Sequence, residues 1–191
     1  MRIQYDGGPP WSSSSVSQVQ FMILGMTIPF FTLLHVIISL IGIVAGAVVM
    51  RGLWSATRPD GSAVFFLTTT AATSVTGFLF HSASFGAAHF VGLISLAVLA
   101  VTILALYIYR LAGLWRGIYV AGAVLALYLN VFVGMVQAFQ KLPFLHPFAP
   151  TGSEPPFVVT QLLVLGMFIA LGIVATKRFH PVPVARMPAY G

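Results

Sequence analysis

A chain of 191 residues with 59% hydrophobic and only 6% charged side chains has too little polarity to cover a water-facing globule, where about a quarter of residues are usually charged. This excludes a soluble domain and points to an all-α integral membrane protein forming a single bundle. The absence of cysteine removes disulfides, thiolate metal sites, iron–sulfur clusters and cysteine nucleophiles.

Residues 1–20, opening MRIQYDGGPPWSSSS, lack the basic-then-apolar order of a signal peptide. They read as a flexible N-terminal tail with Trp11 as an interfacial anchor. The first apolar segment, 21–50, exceeds the roughly 20 residues of a perpendicular span. Pro29 divides it into an interfacial turn and the span proper. Residues 64–80, 89–109, 117–140 and 156–176 supply four more apolar segments.

Turn chemistry separates these segments: RPDG after the first, HSASFGAA after the second, LPFLHPFAPTGSEPP before the last. Ser153 or Thr151 is expected to cap the fifth helix, with Pro155 and Pro156 in its first turn. The expected organisation is therefore a five-helix transmembrane domain over 21–179 and a cytoplasmic C-terminal tail over 180–191.

The net charge of +6 does not signal nucleic acid. Basic residues stand singly or in pairs at the ends of apolar runs, not in a phosphate-binding stripe. Arg51, Arg58, Arg110, Arg116, Lys177, Arg178 and Arg186 share one side of a five-span topology, leaving only Arg2 and Lys141 opposite. The positive-inside rule then places the N-terminus outside and the C-terminus in the cytoplasm.

The basic residues also act as rulers. At about 1.5 Å rise per residue, His35 lies roughly 24 Å above Arg51, and Asn130 and Gln137 roughly 21 and 31 Å above Arg116. Gln161 lies roughly 24 Å above Lys177 and His89 roughly 31 Å above Arg110; a short loop sets His81 level with His89. Every helix thus brings an amide or imidazole into the outer half of a hydrocarbon layer about 30 Å thick. Lipid leaves such groups unsatisfied, so they either bond to neighbouring helices or face a ligand.

The second alternative predicts an outward-opening polar pocket holding His35, Asn130, Gln137 and Gln161, with Glu154 on a Pro-rich lid. His35, His81 and His89, with His146 as a further candidate, are the metal or haem ligands such a pocket offers. Haem b, copper and zinc are the candidate cofactors, although no tight His-x-x-x-His spacing is present. The Thr68–Thr70 hydroxyls are expected to bond back to their own helix. GIVAG, Gly42 to Gly46, has the spacing of close helix packing.

The stretches YLNVFVGMVQAFQKLP and APTGSEPPFVVTQ, with LLHVIISLIGIVAGAVVM and AHFVGLISLAVLAV before them, resemble a group of multi-pass bacterial inner-membrane proteins of unknown function. The resemblance covers the five spans. It implies a bacterial inner (cytoplasmic) membrane location and brings no catalytic residues. The chain is also similar to small haem-binding membrane bundles, from which it departs in lacking paired histidines deep in two facing helices.

The expected function is a binding or accessory role for a quinone, haem, metal or small molecule, within a respiratory or photosynthetic complex. The expected partners are the lipid bilayer, other membrane proteins or further copies of the chain, and no nucleic acid. Catalysis is disfavoured, because the three acidic residues fall outside the spans and no Ser/His/Asp set is present. A small transporter and a purely structural subunit are the alternatives. A proton-coupled transporter would usually carry an intramembrane carboxylate.

Overall fold

The computed structural model describes residues 22–23, 25–57, 59–80 and 86–181. The N-terminal tail, His81, Arg58 and most of the C-terminal tail lie outside these. The described chain is all-α apart from a two-residue hairpin, β1 (Met22–Ile23) against β2 (Met26–Thr27). Five long helices follow: α1 (Ile28–Trp54), α2 (Gly61–Phe78), α3 (Ala87–Ile103), α4 (Leu114–Lys141) and α5 (Pro155–Arg178). Pro29 sits in the first turn of α1, where its missing N–H has no helical partner to lose.

Four of the helical segments, α1, residues 89–108, α4 and α5, are long and apolar enough to cross a membrane. The chain is a multi-pass membrane protein with an all-α bundle. α2 falls outside that group because it carries Thr68, Thr69, Thr70, Thr73, Ser74 and Thr76. Their hydroxyls lower its hydropathy without adding charge.

α4 is the central helix and packs on α1, α3 and α5, while α2 lies against α1 and α3. Small residues set the close approaches. A Cβ on Gly46 of α1 would lie 2.5 Å from Leu127 Cδ1 and 2.8 Å from Phe66 Cε2, so α1 meets α2 and α4 there with no room for a methyl. Gly122 of α4 receives the Thr102 side chain of α3 in the same way. Phe31, Phe66, Leu99, Tyr119 and Val120 are almost fully buried among these helices.

The connections are compact. Asp60 caps α2 by accepting the Ser62 amide at 2.8 Å and the Ser62 hydroxyl at 2.6 Å, both on Oδ1. α3 ends in one turn of π-helix, Leu104–Ile108, and the chain then reverses through Arg110, Leu111 and Gly113, all at positive φ. Tyr109 stacks flat on Trp115 across this turn at 3.6 Å.

Before α5 the expected Ser or Thr cap is absent, and Glu154 occupies the position. Prolines 155 and 156 offer no amide in the first turn for a cap to accept. The Glu154 carboxylate instead turns back to the Thr151 and Ser153 amides.

Gly46→Ala should lower thermal stability in detergent by about 1–3 kcal/mol through overpacking. Gly166→Ala, where an added Cβ meets nothing within 4 Å, should be neutral or mildly stabilising through helix propensity. Equal melting temperatures for the two variants would contradict the close α1–α2–α4 contact.

Candidate functional site

The polar side chains of the bundle collect along α2. Thr69, Thr73 and Thr76 repeat at three- and four-residue spacing, as do Thr70, Ser74 and Gly77, so they share neighbouring faces of one helix. α1, α3 and α4 each contribute a partner to this seam. Asn130 Nδ2 of α4 donates to Thr70 Oγ1 at 3.0 Å. The hydroxyls of Ser74 and Ser95 of α3 meet at 2.9 Å. His35 Nδ1 of α1 lies 2.7 Å from Thr76 Oγ1.

The Thr76 geometry assigns the tautomer of His35. Thr76 Oγ1 is 2.7 Å from the Ala72 carbonyl oxygen as well as 2.7 Å from His35 Nδ1. Each short contact requires a proton. The carbonyl has none and the hydroxyl has one, which goes to Ala72. His35 Nδ1 is therefore the donor, and the lone pair of the neutral ring stands on Nε2. The ring is held further by Phe80, edge-on at 5.2 Å between centroids.

His89 is built the opposite way. Its Nδ1 accepts the Gly86 amide at 3.1 Å, the N3-to-N-cap half of a capping box at the start of α3, so the neutral ring carries its proton on Nε2.

The other candidates are distributed differently. Gln161 is buried and its Nε2 donates to the Phe132 carbonyl oxygen at 3.3 Å, tying α5 to α4, while its Oε1 is buried without a partner. Gln137, one face with Asn130 by sequence spacing, is exposed. Glu154 binds its own loop, accepting the Thr151 amide and hydroxyl, both at 2.9 Å. The Thr151 amide leads the bonds that hold its carboxyl down to about 2, so it is anionic at neutral pH. His146 is exposed on a single 3₁₀ turn.

His35 and Asn130 thus belong to one seam, about 9 Å apart along α2 by its rise. Gln161 joins a different helix pair, and Glu154, Gln137 and His146 belong to the rim. His81 lies outside the described residues. Among the described residues no group of three or more His, Asp or Glu comes together to hold a metal ion.

Sequence reasoning missed Ser74, Thr76 and Ser95, and expected Thr70 to bond back to its own helix. Thr69 does bond back to its own helix, at the Phe65 and Phe66 carbonyls, but Thr70 accepts from Asn130. The signal was available in the helical period of hydroxyls from 69 to 76.

The fold and seam define a class, a multi-pass helical membrane protein with a hydrogen-bonded polar interior. No family model, no curated protein and no solved structure matches the chain.

If the Asn130–Thr70 bond ties α4 to α2, Asn130→Leu should cost about 0.6–2 kcal/mol of stability. A double-mutant cycle with Thr70→Val should then show coupling of about 1 kcal/mol. Strictly additive melting shifts would sink the assignment.

Proposed function

We propose that the chain is a five-span protein of a bacterial inner membrane, N-terminus outside and C-terminus cytoplasmic, serving a binding or accessory role. α2 is counted as the fifth span because it packs on α1 and α3, and its 18 residues reach about 27 Å, close to a hydrocarbon thickness. The Thr69, Ser74 and Thr76 hydroxyls bond to carbonyls of their own helix and Thr70 accepts from Asn130, so these four need no water in lipid, whereas Thr73 Oγ1 is buried without a partner among the described residues. The basic-residue distribution carries the orientation.

The observation that carries the binding role is His35. Asn130, Ser74 and Ser95 spend hydrogen bonds on one another's helices, whereas among the described residues His35 uses only Nδ1. An orienting bond on one ring nitrogen is the usual support for a ligand on the other. Nε2 suits a haem iron, a copper or zinc ion, or a hydroxyl proton of a small organic ligand such as a quinol.

The natively purified protein tests this by its visible spectrum and metal content. His35→Ala should remove a bound group, and His180→Ala, beyond the end of α5, should retain it. Occupancy of haem or metal should fall on acidification as the ring takes up a proton, since ligation needs the neutral ring. Preparations free of haem band, stoichiometric metal and co-purifying organic ligand would leave only a structural role for His35, visible as lost stability in the alanine variant.

Orientation has its own test. The native chain has no cysteine, so single cysteines report without background. In intact cells Ser153→Cys should react with a membrane-impermeant maleimide and Ala112→Cys only after lysis. The reverse pattern would invert the topology.

A further inference from the structure

We propose that the cytoplasmic end of the bundle carries a headgroup site for a zwitterionic aminophospholipid, formed where the α1–α2 turn meets the π-turn of α3. The proposal rests on the membrane topology above and not on the His35 ligand.

A depression of about 490 Å³ opens there, lined by Asp60, Val64, Leu106, Tyr107, Arg110 and Leu111. A second, of about 230 Å³, shares Pro59 and Asp60 with it and includes Arg51. An anion and two cations thus border one continuous surface with an apolar wall.

Three features make it a site for a molecule bearing both charges. Both Ser62 bonds fall on Asp60 Oδ1, which among the described residues leaves Oδ2 to accept from an ammonium. The Ser62 hydroxyl and amide hold the Asp60 carboxyl below the usual range, so it is charged wherever the membrane is. Arg110 stands in the left-handed region with φ 49°, as does Leu111 with φ 62°. Non-glycine residues rarely adopt it, two in succession are rarer, and such backbone gathers at functional positions.

The pose follows from the chemistry. The phosphate takes the Arg110 guanidinium, with Arg51 adding long-range attraction. The primary ammonium takes Asp60 Oδ2, and the glycerol and first acyl carbons lie on Val64, Leu106 and Leu111. Tyr107, half-exposed at 50%, sits where amphipathic rings mark the interface. A purely anionic headgroup meets repulsion from Asp60, and a quaternary ammonium has no proton to give it.

Native mass spectrometry of the detergent-purified full chain tests this with phosphatidylethanolamine, phosphatidylcholine and phosphatidylglycerol of matched acyl chains. The wild type should retain one phosphatidylethanolamine at least threefold over the other two. Asp60→Asn, which keeps the helix cap, should bring the three lipids to parity. Arg110→Gln should lower all three at least threefold, and Arg178→Gln, on the same side but outside the depression, should leave the preference intact. Parity in the wild type overturns the site, and so does a preference that survives Asp60→Asn, whether or not the Arg110 variant folds. Release of the chain from membranes by alkaline carbonate would defeat the membrane topology itself. A carbonate-resistant chain without lipid preference defeats only the headgroup site.

Discussion

Asn130 donates to Thr70 deep inside an apolar bundle, and much of the remaining packing depends on making that bond possible. An amide in hydrocarbon costs several kcal/mol unless a partner is within reach, roughly the energy of the best contacts around it. Reach is provided by α1. A Cβ on Gly42 would lie 3.3 Å from Asn130 Nδ2 and 3.5 Å from Thr69 Oγ1, so a larger residue there would crowd the amide. One turn on, Gly46 brings the α1 backbone against Phe66 and Leu127. The two glycines of GIVAG therefore serve different ends: one leaves space for a polar bond and the other closes an apolar contact.

The same economy explains α2. It is the one long helix that falls outside the group apolar enough to span a membrane, yet every polar side chain it carries is a hydroxyl. A hydroxyl can bond to the preceding turn, as that of Thr69 does, or meet a neighbouring helix, as those of Thr70 and Ser74 do, while Thr73 Oγ1 is buried without a partner among the described residues. A carboxylate or ammonium has no such local refuge. The charged groups accordingly stand at the helix ends: Asp60 and Glu154 at the starts of α2 and α5, Arg51, Lys141, Lys177 and Arg178 in last turns. These positions also complement the helix dipoles.

The two ends of the bundle consequently differ in kind. At the end of α1 that carries Phe31 and His35, aromatic rings and the oriented imidazoles of His35 and His89 dominate, with Phe31 and Phe80 5.1 Å apart and Phe78 and His89 5.8 Å apart. At the opposite end Asp60, Arg51 and Arg110, with no ion pair among the described residues, border open depressions. Our two proposed sites follow this difference, a ligand on one imidazole nitrogen at the first end and a charged headgroup at the second.

The sequence by itself determined the all-α membrane class, the approximate extent of each apolar helix, and the presence of polar groups needing an account. Lipid forces those outcomes, since apolar length and backbone satisfaction admit few alternatives. Only the tertiary structure decided which polar groups meet. Asn130 and Gln137 share a face by spacing, yet one is buried against α2 and the other exposed, because a helix face is buried only where a neighbour covers it. His35 and His89 look alike in the sequence. They differ in tautomer because one ring touches a threonine already committed to a carbonyl and the other accepts a helix-capping amide. Such partners come from other helices or from the exact turn at a helix start, and a hydrogen bond effective within about 3 Å is set by those positions rather than by residue type.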